Sequence, residues 1–441
     1  MRVIICGAGQ VGYNIAAYMA REDNDITVID IDQQRIARVN EELDVNAIAG
    51  YASHPDILAS AGANEADLII AVTKEDEVNM VSCQVAHSLF GVPKKIARIR
   101  DQAYMDPAWS NLFSRSNMPI DVIVSPERET AAAIAQRIRI PGTTNVIPLA
   151  EGKVHLVGVL AGDECPIIYT QLKQLDATFP DLPLKIALII RNMQVIFPEG
   201  NDQIHPGDEV YFFTDIEHLD RVMSVFGHEE QQARTITIMG GGNIGRGLAE
   251  ILRRENKKLQ MRFIEYDEER AMRISESMPD VMVFHGDGLE AAILEEANVR
   301  RTETFIAVTN NDETNILGSL LAKQQGCERV ITLVNKPSFT PLITPLGIDA
   351  AVTPRALTVS SIMQHVRRGR IKALHTLRDG VAEVIEAEVS KTSSLCGKTF
   401  DDLDLPRDVI FGAVTHNEEI VMPSPSYRIK EGDHVIILSS T

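Results

Sequence analysis

Val3-Ile4-Ile5-Cys6-Gly7-Ala8-Gly9-Gln10-Val11-Gly12 and Ile236-Thr237-Ile238-Met239-Gly240-Gly241-Gly242-Asn243-Ile244-Gly245 are two readings of one pattern. Each is a short apolar run, then Gly-x-Gly-x-x-Gly, then a stretch that favours helix. In that context the glycines have separate tasks: the first permits a tight turn, the second lets the backbone approach a pyrophosphate, and the third lets helix and strand pack closely. The helix start offers free N–H groups to phosphate. Gly7, Gly9 and Gly12, and again Gly240, Gly242 and Gly245, are therefore candidate dinucleotide contacts.

An acidic residue ends the next strand in both copies, Asp30 lying 18 residues after Gly12 and Glu265 lying 20 after Gly245. A carboxylate there accepts hydrogen bonds from the adenosine ribose and repels a 2′-phosphate, which favours NAD(H) over NADP(H). Neither strand end carries an arginine at that position. Thr73 and Thr309 end later strands, where a Rossmann sheet meets its ligand. Their hydroxyls have two readings, ligand contact or N-caps ahead of Asp76-Glu77 and Asp312-Glu313. The halves also differ. Arg98 and Arg100 of the first half are placed to face the diphosphate, whereas the matching RVITLVNKP offers Asn335 in that vicinity and no arginine there. His285-Gly286-Asp287-Gly288 stands where the first half has Ala49-Gly50-Tyr51-Ala52. Unequal affinities are expected.

The repeat runs through the whole chain. ITVIDIDQQRIARV at 26–39 matches MRFIEYDEERAMRI at 261–274, and AVTKEDEVNM at 71–80 matches AVTNNDETNI at 307–316. Further on, FPEGNDQIHPGDEVYFF at 197–213 matches MPSPSYRIKEGDHVIIL at 422–438, with Pro198 on Pro423 and Gly207-Asp208 on Gly432-Asp433. Strands alternating with helices predict an α/β fold of two tandem Rossmann-type, doubly wound parallel sheets. KIALIIRNMQVIFP at 185–198 predicts two strands around an Arg191-Asn192 turn, so each sheet is followed by a small α+β hairpin domain. Connecting helices are expected at 127–142 and 355–370, and the polar 228–234 as linker between halves. The expected segments are 1–125, 126–228, 233–353 and 354–441.

Among the 441 residues, 62 acidic against 43 basic side chains give a net charge of −19, which argues against nucleic acid as a partner. The five cysteines are scattered without a CxxC pair and read as small apolar residues of a reducing compartment. The chain opens on a strand with no signal peptide, and no apolar run approaches the roughly 18 residues of a membrane span. A cytoplasmic protein is expected.

The order of elements (glycine-loop strand, acidic strand end, AVTxxDExN, crossover helix, hairpin domain) resembles the RCK (KTN) regulators of potassium conductance. Two such units without a transmembrane part resemble the regulatory subunits of bacterial Trk-type potassium uptake. The resemblance implies a homotetramer that binds NAD/NADH, and ATP or ADP, peripherally on the inner face of the membrane beneath a potassium-transporting subunit. It carries nucleotide contacts over to Gly7, Ala8, Gly9, Gln10, Val11, Asp30, Thr73, Lys74 and Arg98. In the second half it carries them to Gly240, Gly242, Asn243, Ile244, Glu265, Thr309 and Asn310. Many such domains have Gly-Asp-Ala after the third strand; Gly286-Asp287-Gly288 is similar, which adds Asp287, while Gly50-Tyr51-Ala52 departs from it.

The rival class is an NAD-dependent oxidoreductase, which needs a substrate domain and a proton donor at the nicotinamide. His54, His87 and His285 are the candidates, and none recurs in the other copy. No Ser/His/Asp arrangement, metal cluster or P-loop is visible. A switch rather than an enzyme is expected, with a regulator of a different cation channel or efflux system as the neighbouring alternative.

Overall fold

The structure, a computed structural model, describes every residue except 22–23, 367–370, 378–380, 404, 417–418, 422–425 and 441. The first half opens with β1 (Arg2–Cys6), α1 (Gln10–Met19), β2 (Asp25–Asp30), α2 (Gln33–Glu42), β3 (Asn46–Ala49), α3 (Pro55–Ser60), β4 (Leu68–Ala71), α4 (Asp76–Phe90), β5 (Lys94–Arg98), β6 (Val122–Val124) and α5 (Pro126–Arg139). Its six strands are parallel in the order β3-β2-β1-β4-β5-β6. The central strands are near-continuous apolar runs because both faces are covered; Ile4, Ile5, Ile69 and Ile70 are buried. The order reverses between β1 and β4, and the glycine loop leaves β1 above that switch point.

An antiparallel module follows: β7 (Thr143–Leu149), β8 (Val154–Leu160), α6 (Leu172–Thr178), β9 (Lys185–Arg191), β10 (Gln194–Ile196), β11 (Glu209–Asp215) and α7 (Leu219–Val225). Its sheet runs β10-β9-β11-β8-β7. The tight turn falls at Asn192-Met193, one residue later than the sequence suggests, because these two residues take the positive φ (50° and 66°) of the reversal. Arg191 instead ends β9, and its guanidinium grips the buried Asp208 at 2.7 and 2.8 Å.

The second half repeats this plan: β12 (Thr235–Met239), α8 (Asn243–Glu255), β13 (Gln260–Glu265), α9 (Glu268–Ser277), β14 (Met282–His285), α10 (Ala291–Glu296), β15 (Thr304–Ala307), α11 (Asp312–Gln324), β16 (Arg329–Leu333), β17 (Ala350–Val352) and α12 (Pro354–Val366). The sheet order is β14-β13-β12-β15-β16-β17, the same topology as before. β18 (Ile371–Leu377), β19 (Ala382–Glu388), β20 (Val409–His416), β21 (Glu419–Val421) and β22 (His434–Ser440) form the last antiparallel sheet. Asp433 is fully buried at the turn equivalent to Asp208, but its partners are His416 Nδ1 at 2.5 Å and the Tyr427 hydroxyl at 3.0 Å. The two antiparallel sheets share one core, in which Leu156, Leu188 and Phe213 join Val384, Ala413 and Leu438. The α/β architecture expected from the repeat is thus present in both halves. Pro423 and the end of the 355–370 stretch lie outside the described residues.

The chain divides into two compact units, Met1–Thr130 with Pro354–Arg367 and Ala131–Thr353 with Arg368–Thr441. In the first unit α12, which follows the second parallel sheet in sequence, packs on α1 and β6. In the second, the C-terminal part of α5 lies along α8: Ala131 sits against Gly247, and Arg139 bonds Glu255 at 2.8 Å. Each parallel sheet is thus covered by the connecting helix of the opposite half. Residues 228–234 have no regular structure. Among the described residues, no helix is long and apolar enough to cross a membrane.

Candidate nucleotide sites

Both glycine loops are built on close approach. Gly7 has φ +110° and Gly240 +108°, and a β-carbon on Gly7 would stand 3.0 Å from both Thr73 N and Val72 O. A β-carbon on Gly12 would lie 1.8 Å from the Gly7 carbonyl oxygen, and one on Gly245 2.1 Å from that of Gly240. The first turn of the helix can pack on the strand end only because these residues have no side chain. Gly9 and Gly242 are the N-caps, with no side-chain cap, so the first-turn N–H groups remain available to an anion. Gln10 is exposed, Val11 buried, and Asn243 and Ile244 half-buried at the same turns.

The strand-end acids do more than wait for a ribose. Asp30 is buried; its Oδ2 accepts the Ala8 N–H at 2.6 Å and its Oδ1 the Asp32 N–H at 2.9 Å. Glu265 repeats this, Oε2 accepting the Gly241 N–H at 2.6 Å and Oε1 the Asp267 N–H at 2.9 Å. Each carboxylate therefore fastens its glycine loop to the neighbouring strand and keeps lone pairs for hydroxyl donors. Arg35 Nη1 lies 3.6 Å from Asp30, and Arg270 Nη1 3.1 Å from Glu265. The glycine-loop pattern does not point to these arginines. Their signal was the arginine shared by QQR and EER five residues after each acid. Ile31 and Tyr266, next to the acids, are large side chains left 62% and 76% exposed.

Opposite the acids, the Thr73 hydroxyl bonds Asn79 Oδ1 at 2.7 Å, so Thr73 does not cap α4. Asn79, fully buried, also accepts the Thr73 N–H at 2.8 Å and donates to the carbonyls of Thr73 and Arg98 at 3.2 and 2.9 Å. Asn315 holds Thr309 in the same way and reaches Leu333 O at 3.1 Å, while the cap of α11 is Asn311. The last residue of AVTxxDExN thus clamps the end of one strand to the next.

Arg98 ends β5 and donates from Nη2 to Thr73 O at 2.6 Å; its Nε is buried without a hydrogen-bond partner. Burial, then the neighbouring Arg100, pushes its pKa down. Arg100 does not face the loop: its Nε bonds Glu127 at 2.8 Å at the start of α5. The equivalent of Arg98 in the second half is Leu333. Asn335 matches Arg100, its N–H and Nδ2 both taken by Asp312 at 2.9–3.0 Å. A cation does reach the second loop from elsewhere: Arg246, where the first half has Tyr13, bonds Asn243 Oδ1 at 2.9 Å on the first turn of α8. Lys74 and Asn310 are exposed. Asp287 Oδ1 accepts the Leu289 N–H at 2.9 Å, while Tyr51 at that position is exposed and stacked on His54 with ring centroids 5.0 Å apart.

His87 lies in the last turn of α4, and His285 Nε2 meets Tyr266 O at 3.2 Å. Among the described residues, no group of three or more His, Cys, Asp or Glu side chains is arranged to hold a metal ion.

The TrkA-N domain matches residues 3–126 and 236–354, and the TrkA-C domain matches 156–227 and 384–441. The chain belongs to the TrkA family. The Trk system potassium uptake protein TrkA of Azorhizobium caulinodans is 46% identical over 439 residues, covering 100% of this chain and 96% of that protein. The TrkA of Halomonas elongata is 40% identical, covering 99% and 95%, and that of Vibrio alginolyticus 37%, covering 99% and 95%. Among solved structures, the GsuK RCK domain superposes with a TM-score of 0.60 at 17% identity, covering 100% of this chain and 92% of that one. The GsuK channel bound to NAD gives 0.60 at 17%, covering 100% and 77%. TrkA-family sequence and RCK fold coincide over the full length.

Proposed function

We propose that this TrkA-family chain is the nucleotide-binding regulatory subunit of a Trk-type potassium uptake system. It binds NAD(H), and ATP or ADP at the same loops, and conveys occupancy to a membrane potassium-transporting subunit. Work on the cytoplasmic face and a homotetrameric ring belong to the same reading. The observation that carries it is the pair of glycine loops, each with uncapped helix N–H groups and a buried acid tying the loop in place.

The residues fit the adenosine diphosphate part of such ligands. Gly7, Ala8, Gly9, Gln10, Val11 and Gly12 would receive the pyrophosphate on backbone N–H groups, and Asp30 the ribose hydroxyls. Gly240, Gly242, Asn243, Ile244, Gly245 and Glu265 do the same in the second half. Thr73, Lys74 and Arg98 would meet the part of the ligand beyond the pyrophosphate, as would Thr309 and Asn310, with Asp287 beside the second ribose.

A ligand shifts a two-state assembly only by binding one state better. Asp76 offers a route for that difference in the first half. It receives the N–H groups of Arg100 and Asp101 at 2.9 and 2.8 Å, and Arg100 pairs with Glu127 at the start of α5. A charge change at Arg98 is thereby one residue pair away from the connecting helix.

Calorimetric titration with NAD, NADH, ATP and ADP tests the reading. Saturable binding of at least one is expected; binding of none would refute it. NADH mixed with common carbonyl substrates should give a fluorescence change without oxidation, and steady turnover would favour the oxidoreductase class instead.

A further inference from the structure

Resting on the adenosine assignment above, we propose that Arg35 and Arg270 are specificity-determining residues, each held by its acid in the place where a 2′-phosphate would bind. The arrangement is present twice, an arginine five residues beyond the acid, with the guanidinium 3.6 and 3.1 Å from the carboxylate; Arg35 also pairs through Nε with the half-exposed Asp32 at 3.4 Å. The partners are unequal in exposure: the acids are 8% and 4% exposed in their side chains, the arginines 54% and 41%. The cation is therefore the solvent-facing member of each pair. Arg35 Nη1 is also 3.9 Å from the position of a β-carbon on Gly9, between the phosphate loop and the ribose acid. A guanidinium is permanently charged and matches a phosphate with two parallel hydrogen bonds. With the carboxylate ionised, that cation is compensated and a 2′-phosphate is repelled. With the carboxylate neutral, Arg270 becomes a phosphate receptor, and Arg35 does so less fully because Asp32 still compensates part of its charge. Selection against the 2′-phosphate thus lies in the acid–arginine pair rather than in the acid alone.

The test uses the full chain and two sets of substitutions. Asp30→Asn with Glu265→Gln removes the charge and keeps one carbonyl oxygen to accept the Ala8 and Gly241 N–H groups, giving up the bonds from the Asp32 and Asp267 N–H groups. Arg35→Ala with Arg270→Ala is then added. Affinities for NADH and NADPH are measured by calorimetry at low salt. The parent should bind NADH and prefer it over NADPH. The amide variant should bind NADPH at least about tenfold more tightly than the parent does, the scale of one charge-assisted contact. Adding the arginine substitutions should remove that gain. NADPH affinity that rises equally with and without the arginines overturns the proposal and leaves them as charge balance. An amide variant that keeps NADH but gains nothing for NADPH also overturns it. A parent that binds neither dinucleotide sinks the adenosine reading itself, and this proposal with it.

Discussion

Gly12→Ala isolates the part of the first site that depends on close approach alone. A β-carbon there would stand 1.8 Å from the Gly7 carbonyl oxygen, where real β-carbons essentially never come within 3.0 Å. Loop and helix must part by about 1.2 Å to relieve the clash. Hydrogen-bond lengths tolerate only about 0.5 Å of variation, so the first-turn N–H groups lose their aim at a bound pyrophosphate. Loss of two hydrogen bonds to a charged group, each contributing about 1.5 kcal/mol, amounts to about 3 kcal/mol. NADH affinity at the first half should therefore fall by about a hundredfold. Calorimetry on the full chain reads this directly, because the stoichiometry should drop from two sites per chain to one. Gly245→Ala should silence the other site by the same mechanism. A Gly12→Ala chain that still titrates two sites with the parent's affinities would refute the reasoning, since the loop would then not need its closeness.

Asn79→Ala strips the buried clamp from Thr73 and Arg98, at about 1–3 kcal/mol for each buried group left without a partner. Hydrogen exchange at the Thr73 amide should accelerate by about tenfold or more, and an unchanged rate would show that the clamp is dispensable. In proteoliposomes holding the transporter subunit and this protein, Arg98→Ala should reduce nucleotide-dependent potassium flux more than Asn335→Ala does. The reverse order would make the second half the main sensor. Burial pushes the His375 imidazole down to about 4, so the folded chain binds its proton less readily than the unfolded chain. That contribution is fully present above about pH 6.5 and is lost as pH falls toward 4, costing about 2 kcal/mol at pH 5. Urea unfolding at pH 7 and pH 5 should show a smaller acid loss in His375→Gln, and equal losses would exclude this histidine as the cause.

Much of the fold was legible because local signals agreed at every level: apolar runs, glycine loops and acidic strand ends recur at nearly constant spacing. The hairpin at 185–198 was legible too, but not its exact reversal, since Asn192 and Met193 rather than Arg191 accept the positive φ. The site was harder to read. Asp30 stands out as an acid, yet its bond to the Ala8 N–H depends on a loop contact across 22 residues of chain. The drift between copies concealed that Leu333 replaces Arg98 while Asn335 replaces Arg100. Arg246 belongs to a helix whose pattern reads as ordinary surface. Sequence spacing names the residues of a strand end; only packing decides which of them turn inward.

The exchange of connecting helices bears on what counts as a foldable piece of this protein. A fragment ending at residues 228–234 would lack α12, which covers α1 and β6 in the whole chain. Its own α5 would lose the neighbours it has on α8, Gly247 beside Ala131 and Glu255 beside Arg139. The direct remedy for such a fragment is a twin, each lending its helix to the other. The full-length chain carries that partnership within one polypeptide, so it forms at any dilution and always unites unlike halves. Identical twins must keep identical pockets, whereas unlike halves are free to drift. The replacement of Arg98 by Leu333, and of Tyr13 by Arg246, is the kind of divergence that a permanently paired molecule can accumulate without ever losing its mate.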